Sequence, residues 1–464
     1  MAEPAVLPRL LSRAERHLHG KAVREAVSRE AFASLDLPAT RDSVAILARQ
    51  DAQRLPFLVP ERRKRMLASP FAYLRGAAAV MAADFAHGPS TGLTVQAAGD
   101  AHIMNFGTFL SPEGRVLFDC NDFDETLSGV DFTVDVRRLA ASLAVAATDF
   151  GFQRKEIRRL VRRAVKSYRK LMRDLAQLSP YEIWMQRIDL AAELNRIDDR
   201  HLRSHIGAAL NSIDRDEIHD DDVPHLDPDA SSSRFEDRAG RIFHSLAAVP
   251  EVEALVAEAE QAFRAYPGKL LPERRRQIER YRLVDTAIKV VGVGSVGTLC
   301  AIGLFATPDD EMLVLQLKEA QDSVNRPLAP PAAAVSDNGR RVVEGQRAIQ
   351  AASDIFLAAI PLEAATQANR QFYVRHLKTT RLASLGDLIA RDIHDEEALS
   401  AYGDLCGRTL ARAHARTGDA VSISAWLGNS ERFDEAVSAF AVDYIGVTRE
   451  DFRCLQQVAG TISG

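Results

Sequence analysis

The sequence predicts an α+β fold, in which a β-rich segment interrupts a mainly helical chain. Apolar residues recur at helical spacing at 22–35 and 66–85, and helical patterns return later in the chain. In contrast, residues 290–307 and 312–317 are apolar, β-branched runs separated by the turn-forming sequence Thr-Pro-Asp-Asp, which is the pattern of a β-hairpin. Both kinds of element are therefore expected, with strands concentrated in one region.

The first part of the chain is predicted to lead from helices into two strands. Residues 1–90 are expected to be mostly helical. Two short apolar runs follow, Leu93–Ala98 and Val116–Phe118, and Pro112-Glu113-Gly114 between them has the composition of a turn. We expect these runs to be strands that lie side by side and bring together the polar residues that follow each of them.

The central part of the chain is expected to be helical around one long loop. Helical patterns run through Val134–Ala140, Gln153–Leu178 and Ile188–Ile213. Residues 214–238 are rich in Asp, Pro and Ser, which is typical of an exposed mobile loop. In this loop, Asp220–Asp222 between His219 and His225 is more typical of a solvated charge run than of a metal site, because nothing in it holds the side chains together.

The remaining elements give the expected organisation of the chain. A helix is predicted at 342–357, a short strand at Gln371–Arg375, and a last helical block from Leu385 to the end. We therefore divide the chain into an N-terminal helical segment, a segment with two polar clusters, a β lobe and a C-terminal helical segment, which are residues 1–90, 91–281, 282–380 and 381–464.

Composition limits the possible partners and location of the protein. The 464 residues carry a formal net charge of −5, so the chain has no general surface for polyanions and nucleic acid is not an expected partner. Charged residues are spread through Met1–Gly20, which lacks the apolar core of a signal peptide. The longest apolar stretches, at 77–83 and 290–293, are too short to cross a bilayer. We expect a cytoplasmic protein without a membrane partner.

The four cysteines indicate neither a disulfide framework nor a zinc site. Cys120, Cys300, Cys406 and Cys454 are scattered without CxxC spacing. Cys120 directly precedes a polar cluster, but free cysteines are among the most buried residues, so it is predicted to be a small packing residue and not a nucleophile.

Two polar clusters are the strongest functional signal. They are Gly99–Asn105 and Asn121–Glu125. Phosphoryl transfer from a nucleotide needs one carboxylate to orient the acceptor hydroxyl, and amide and carboxylate oxygens to hold Mg²⁺ on the phosphates. Asp100, Asn105 and Asp122 provide that set. Asp, Asn and Gly also form ordinary turns, but that explanation requires two independent coincidences at this spacing.

A glycine-rich sequence in the β-rich segment supports the same chemistry. Gly292-Val293-Gly294-Ser295-Val296-Gly297 is followed by β-prone residues and a turn, with no helix, which argues against a dinucleotide-binding unit. In protein kinases a glycine loop between two antiparallel strands covers the phosphates, and a lysine on the next strand pairs with them. Lys318 occupies that position, although strand-end lysines are often only exposed surface residues. Glu344, on the next helix, is the candidate partner that would orient Lys318.

These features resemble known families. Asp100–Asn105 resembles the Asp-x-x-x-x-Asn catalytic loop of the protein-kinase-like and aminoglycoside-phosphotransferase-like families, and Asp122-Phe123-Asp124 resembles their metal-binding element. Asp135 stands where a further Asp of those families opens a helix. Over about residues 20–460 the chain is similar to the bacterial DUF2252 family, on the runs Met66–Gly76, Gly99–Gly107, Phe118–Glu125, the glycine loop and Leu410–Asp419.

The resemblance implies a protein-kinase-like two-lobe fold in permuted order, because the glycine loop and Lys318 follow the catalytic loop in the chain. A small antiparallel β lobe would cover a large, mainly helical lobe, with ATP between them. Residues 405–415 would form a helix beneath the catalytic loop. His414–Asp419 is not a second catalytic loop, because Ser424 stands where the Asn would be required.

The resemblance also implies roles for individual residues. Asp100 would orient the acceptor hydroxyl. His102, inside the same loop, would orient the backbone or touch substrate, but a packing or hydrogen-bonding role is favoured because hard oxygen ligands already complete the metal set. Asn105 and Asp122 would bind Mg²⁺ with Asp124 assisting, and Asp119 is the alternative if the metal ligand is displaced by three residues. The phosphates would be held by Lys318, supported by Glu344, and by the loop residues Gly292, Gly294, Ser295 and Gly297.

The expected function is an ATP- and Mg²⁺-dependent phosphotransferase that acts on a hydroxyl acceptor. A pseudo-enzyme that binds nucleotide without transfer and a Mg²⁺-dependent phosphatase or hydrolase are the alternatives. The acceptor stays open between a small hydroxylated metabolite, an amino sugar and a protein side chain. Transfer of AMP in place of phosphate and the oligomeric state also stay open.

Overall fold

The computed structural model describes residues 10–194, 200, 203–204, 224–227, 233–331, 335–360, 370–377 and 396–462. It confirms the predicted α+β class. The expected mobile loop lies outside the described residues except for 224–227 and 233–238. The charge run at 220–222 and the expected start of the last helical block at 385–395 also lie outside them.

Helices form most of the chain. They are α1 (Arg13–Ala26), α2 (Ser43–Asp51), α3 (Val59–Met66), α4 (Pro70–Gly76), α5 (Ala78–Phe85), α6 (Phe132–Asp149), α7 (Arg154–Leu175), α8 (Pro180–Met185), α9 (Leu190–Leu194), α10 (Glu251–Ala265), α11 (Pro272–Ile278), α12 (Asn338–Ile349), α13 (Glu396–Thr417), α14 (Ala420–Leu427) and α15 (Arg432–Ile462). The strands are β1 (Thr94–Ala97), β2 (Phe106–Leu110), β3 (Val116–Cys120), β4 (Leu127–Asp131), β5 (Ile242–Phe243), β6 (Arg282–Lys289), β7 (Cys300–Ala306), β8 (Met312–Glu319), β9 (Ala358–Ile360) and β10 (Phe372–His376).

The helical pattern at 66–85 is divided between separate helices. Ser69 caps a new helix by accepting a hydrogen bond from the backbone N–H of Ala72, and Pro70 occupies the first helical turn. Proline is favourable there because its missing N–H has no partner to lose, but it cannot continue a preceding helix. α4 therefore starts afresh after α3 ends at Met66.

A six-stranded antiparallel sheet has the strand order β5-β6-β7-β8-β10-β9. The glycine loop connects β6 to β7, and a tight turn connects β7 to β8, so the predicted order of strand, loop, strand, turn and strand is confirmed. β10 confirms the short strand predicted at 371–375. The sheet also includes β5, because Ile242 pairs with Lys289 at its edge, outside the segment 282–380.

The strands around the polar clusters pair differently from the prediction. β1 pairs with β4, and β2 forms a hairpin with β3 around the predicted turn at 112–114. The two predicted strands are therefore not neighbours, because each has a partner that the apolar runs did not reveal. The loop between β1 and β2 carries the first cluster, and the loop between β3 and β4 carries the second.

Among the described residues, buried apolar side chains form four clusters, of which two are large. The largest is built mainly from helices and includes the aromatic cluster of Phe132, Trp426 and Phe433. The other large cluster lies against the sheet, where Phe263 of α10 packs edge-on against Phe305 of β7. Within the described ranges, which leave gaps such as 205–223 and 378–395, no helix is long and apolar enough to cross a membrane.

Candidate functional site

One cleft brings together the two polar clusters and the glycine loop. It encloses about 960 Å³ of space that is open to solvent. The clusters contribute Asp100, His102, Asn105, Asp122, Asp124 and Glu125 to its lining, and the loop contributes Gly292, Val293, Gly294 and Ser295. Residues that are almost two hundred positions apart in the chain therefore face one another across a single space.

A carboxylate of helix α6 holds the start of the first polar cluster in place. The Asp135 carboxylate accepts hydrogen bonds from the backbone N–H groups of Ala98, at 2.7 Å, and Gly99, at 3.0 Å. His414 of α13 lies 3.1 Å from the same carboxylate through Nε2. Asp135, buried near the N-terminus of a long helix, is thus a rigid support for the loop that carries Asp100.

The helix expected beneath this loop is confirmed as part of α13. Tyr402 donates its hydroxyl hydrogen to the backbone oxygen of Ile103 at 2.7 Å, and His414 contacts both Asp135 and the Tyr168 hydroxyl. Both α13 side chains are buried. The run Leu410–Asp419 therefore does not form a second loop of the Asp-x-x-x-x-Asn kind. Its His414 instead supports the site by contacting Asp135.

Asp100 is held by an arginine that lies one helical turn after Asp135. Arg138 donates from Nε to Asp100 Oδ1 at 2.7 Å and from another nitrogen to the backbone oxygen of Leu74 at 2.8 Å. Burial raises the pKa of Asp100, and the Arg138 guanidinium opposes this shift. The pair fixes the direction of the carboxylate, and the guanidinium favours its charged form against the effect of burial.

His102 lines the cleft without bonding to Asp100. Its Nε2 lies 3.8 Å from Asp100 Oδ2, which is too long for a hydrogen bond. Burial, with the nearby charges of Arg75 and Arg138, lowers the pKa of His102 well below its usual value, so the ring is neutral. Among the residues that the structure describes, its Nδ1 has no hydrogen-bond partner. The ring is therefore placed to meet a ligand or to pack against one.

Asn105 is oriented by the backbone of the same loop. Its Nδ2 donates to the backbone oxygen of Asp100 at 2.8 Å, and its own backbone oxygen accepts from the N–H of Asn121 at 3.1 Å. The side-chain nitrogen is thus occupied, and the amide oxygen is the atom that a cation could use. The second contact also ties the two polar clusters together.

Lys318 is buried and is paired with the second cluster. Its Nζ lies 2.5 Å from Asp124 Oδ2 and 4.0 Å from Asp122 Oδ1, and its side chain is only 3% exposed. The alternative of an exposed surface lysine therefore does not apply. Asp124 also accepts hydrogen bonds from the hydroxyls of Tyr373, at 2.7 Å, and Ser295, at 3.1 Å.

The two carboxylates of the second cluster differ in charge compensation. Burial acts to raise the pKa of Asp124, but the ammonium of Lys318 and the hydrogen bond from Tyr373 lower it to about 2. Burial and the neighbouring Asp124 charge raise the pKa of Asp122, whose side chain is 32% exposed. Asp122 is thus the less compensated carboxylate and the more accessible one, which suits a group that binds a cation only when a ligand is present.

Asp119, the alternative metal ligand, is engaged elsewhere. It forms a buried ion pair with Arg412 at 2.5 Å and accepts hydrogen bonds from the backbone N–H groups of Cys120 and Ala351, each at 2.9 Å. It does not belong to the lining of the cleft. Cys120 is buried as predicted.

The predicted pairing between Glu344 and Lys318 is wrong. Glu344 lies on the exposed face of α12, where its carboxylate accepts a hydrogen bond from Arg340 at 2.6 Å. Arg341, on the inner face of the same helix, is the residue that reaches the site, donating to the backbone oxygens of Asp124, at 2.9 Å, and Gln321, at 2.7 Å. Lys318 is oriented by Asp124 instead.

Gly297 also differs from the other loop glycines. Its backbone oxygen accepts a hydrogen bond from the N–H of Leu55 at 2.7 Å, and the position that a Cβ would take lies 2.9 Å from Arg54 Cβ. It therefore packs against the N-terminal helical segment and does not line the cleft. Gly292 is anchored from that segment too, since Arg65 donates to its backbone oxygen at 2.8 Å.

Sequence reasoning missed several residues that complete the site, namely Arg75, Arg138, Arg341 and Tyr373. For Arg138 a signal was present, because Arg137 and Arg138 interrupt an otherwise apolar helical run that continues to Ala147. Charged side chains are almost never fully buried unless they are paired. An arginine in such a run predicts a buried partner, which is the Asp100 carboxylate for Arg138 and the Phe85 ring for Arg137, although the sequence does not say which one.

Comparison with known proteins identifies the family. The model of a family described as "Uncharacterized protein conserved in bacteria (DUF2252)" matches residues 54–458, which is most of the chain. No curated protein and no solved structure matches this chain.

Proposed function

We propose that this chain, which belongs to the DUF2252 family, is a kinase-like phosphotransferase that uses ATP and Mg²⁺ to phosphorylate a hydroxyl group. The observation that carries the proposal is the cleft in which the glycine loop meets Asp100, Asn105 and Asp122, with the buried Lys318 ammonium 4.0 Å from Asp122 Oδ1. These are the groups that phosphoryl transfer requires, and they come from distant parts of the chain. A pair of ordinary turns would not need to converge in this way.

The order of elements around the loop supports the proposal. β6, the glycine loop and β7 are followed by β8 with Lys318 and then by helix α12. In protein kinases the lysine likewise lies on the third strand, and a helix that supports the site follows it. Here that helix contributes Arg341 to the backbone of the second cluster in place of a glutamate to the lysine.

The donor set fits Mg²⁺ bound together with a nucleotide. In the described parts of the chain, no group of three His, Cys, Asp or Glu side chains forms a ready-made metal site. Mg²⁺ in kinase sites is typically held by one or two carboxylates and by the phosphates of the substrate. Asp122, Asp124 and the amide oxygen of Asn105 are hard oxygen donors of the kind it prefers. When bound, the ion would neutralise charge that develops on the phosphates.

The protein groups then have distinct tasks. Asp100, held by Arg138, accepts the hydrogen bond of the acceptor hydroxyl and orients its oxygen for attack. The backbone N–H groups of the glycine loop and the ammonium of Lys318 stabilise negative charge on the phosphates. In the structure, the Lys318 charge is compensated by Asp124. Burial of Lys318 keeps this charge strong, because water does not screen it there.

Two measurements on the full chain test the proposal. We expect the non-hydrolysable analogue AMP-PNP to bind in isothermal titration calorimetry only weakly without Mg²⁺ and much more tightly with it, since metal and phosphates share ligands. We also expect ATP to be consumed with transfer of its γ-phosphoryl group when a suitable hydroxyl acceptor is present. Binding without transfer to any acceptor would favour a pseudo-enzyme. Absence of Mg²⁺-dependent binding would remove the proposal and favour a hydrolase.

A further inference from the structure

A second cavity adjoins the cleft at the glycine loop. It has an empty volume of about 1180 Å³ and is lined by residues of α3, of the segment 239–241 and of the start of the glycine loop. Arg75, Gly292 and Val293 line both cavities. The two spaces therefore lie side by side, and Asp100 belongs to the lining of the cleft that adjoins the second cavity.

The second cavity has a positive lining. Lys64, Arg65, Arg75 and Arg241 contribute four positive charges, and Glu61 contributes the single negative charge of the lining. Glu61 is paired with Arg65 Nε at 2.8 Å. Lys64 and Arg241 are exposed residues of the lining. A concave surface with an excess of one charge raises the local concentration of ions of the opposite sign. This cavity favours anions, in contrast to the carboxylate-rich cleft beside it.

Arg75 is the residue that links the positively charged lining of the second cavity to Asp100. Burial raises the pKa of Asp100 and lowers the pKa of His102, and the nearby charge of Arg75 acts to lower the pKa of both groups. The backbone oxygen of Arg75 also lies 3.3 Å from the position that a Cβ on Gly294 would occupy. The residue is therefore packed between the catalytic loop and the glycine loop, where the body of an acceptor would pass from the cleft into the second cavity.

We infer that the second cavity binds an anionic group of the acceptor, so that the substrate is a hydroxyl compound that carries a phosphate or a carboxylate. This inference rests on the proposed function, because it assigns the acceptor side of the same site. A cationic amino sugar would meet like charges at Lys64, Arg65 and Arg241, which is unfavourable. Guanidinium groups bind phosphate and carboxylate oxygens with charge-assisted hydrogen bonds.

The test uses inorganic phosphate as the probe of the cavity. The full chain is first saturated with Mg²⁺ and AMP-PNP, so that phosphate cannot enter the nucleotide position, and phosphate binding is then measured by calorimetry. The variant Lys64→Glu/Arg241→Glu reverses two exposed charges of the cavity. Arg276→Glu, an exposed position on α11 outside both cavities, is the matched control.

We expect phosphate to bind the wild-type protein and the Arg276→Glu control equally, and the double variant at least about tenfold more weakly, because two attractive charges become repulsive. AMP-PNP affinity should be unchanged in all three. Equal phosphate binding by the double variant, or no binding by the wild-type protein, would overturn the anion site while leaving the proposed function intact. Failure of AMP-PNP to bind would instead overturn the proposed function. Transfer to the amino sugar kanamycin would overturn the inferred substrate class alone.

Discussion

The carboxylates of the cleft differ in what compensates their charge. Asp100 is paired with Arg138, and Asp124 with Lys318 and Tyr373. Glu125 accepts a hydrogen bond from the backbone N–H of Val324 at 2.7 Å, but burial still raises its pKa to about 7. The Asp122 side chain is 32% exposed, which is more than the 23% of Asp124 and the 15% of Asp100. At the scale of single residues, these partners distinguish Asp100, which we propose orients the acceptor, from Asp122, which we propose binds Mg²⁺.

We expect Asp100→Asn to lower the rate of transfer by about 10² to 10⁴-fold, which is the usual contribution of a positioned acid–base group. The amide oxygen can still accept the hydrogen bond of Arg138, so the thermal unfolding temperature should change little. Steady-state kinetics and a melting curve measure the two effects. Asp309→Asn, at the exposed turn between β7 and β8, is the control and should retain full activity. Near wild-type turnover of Asp100→Asn would remove this residue from the mechanism.

Substitution by alanine should have different effects at Asp122 and at Asp119. Asp122→Ala is expected to weaken Mg²⁺-dependent AMP-PNP binding with little loss of stability, because its side chain is 32% exposed. Asp119→Ala leaves the buried Arg412 charge without its partner, which should lower the free energy of unfolding by about 3–5 kcal/mol. Calorimetric titration and denaturant unfolding distinguish the two. An Asp122→Ala protein with unchanged Mg²⁺ dependence would transfer the metal role to another carboxylate.

At the scale of elements, the site is held by two loops, each of which connects a strand of the β1-β4 pair to a strand of the β2-β3 pair. The first polar cluster lies between β1 and β2, and the second between β3 and β4. The two loops touch at Gly99, which has a φ of +92°. A Cβ at this position would lie 1.9 Å from the backbone oxygen of Glu125. Gly99 is thus required both by its backbone conformation and by the close approach of the second loop.

We expect Gly99→Ala to destabilise the protein by more than Gly114→Ala, which is its matched control. Gly114, in the turn between β2 and β3, also has a positive φ, of +74°, but a Cβ there would meet nothing within 4 Å. The control should therefore cost about 1–2 kcal/mol from backbone strain alone. Gly99→Ala adds a backbone clash and should also reduce AMP-PNP binding or turnover. Equal unfolding free energies for the two variants would show that the second loop does not constrain Gly99.

The apolar pattern of the sequence predicted some of the strands and missed others. The strands of the β lobe were predictable because their apolar, β-branched runs are long and bounded by clear turns. β2 and β4 were not, since residues 106–110 and 127–131 mix glycine and polar residues with apolar ones. Their strand conformation depends on the partners that they meet in the fold. The pairing of β1 with β4 therefore could not be derived from the apolar runs.

At the scale of the whole molecule, the proposed site depends on contact between distant segments. Lys318 of β8 meets Asp124 although they are separated by 194 positions. Residues of the N-terminal segment also anchor the glycine loop, since Arg54 donates to the backbone oxygen of Val296 at 2.5 Å and Arg65 to that of Gly292. The cleft thus has walls from the beginning, the middle and the later part of the chain.

Lys318→Ala should reduce AMP-PNP affinity or the rate of transfer by at least about tenfold, because a buried charge that stabilises the phosphates is lost. Glu344→Ala should change neither quantity, since Glu344 is exposed and paired with Arg340. Lys318→Met keeps most of the aliphatic volume of the side chain and separates the loss of charge from the loss of packing. Full nucleotide binding and turnover by both Lys318 variants would contradict the proposed arrangement.

The sequence by itself determined the fold class, the glycine-loop hairpin with Lys318, and the polar clusters with their candidate carboxylates. Each depends on local order: periodicity, turn residues and spacing within a short segment. Only the tertiary structure decided which charges pair. In the fold, Glu344 is exposed to solvent. Asp119 pairs with Arg412, Asp100 with Arg138, and Lys318 with Asp124. The physical reason is that ion pairing depends on distance and burial in space, and neither quantity is recorded in the spacing of residues along the chain.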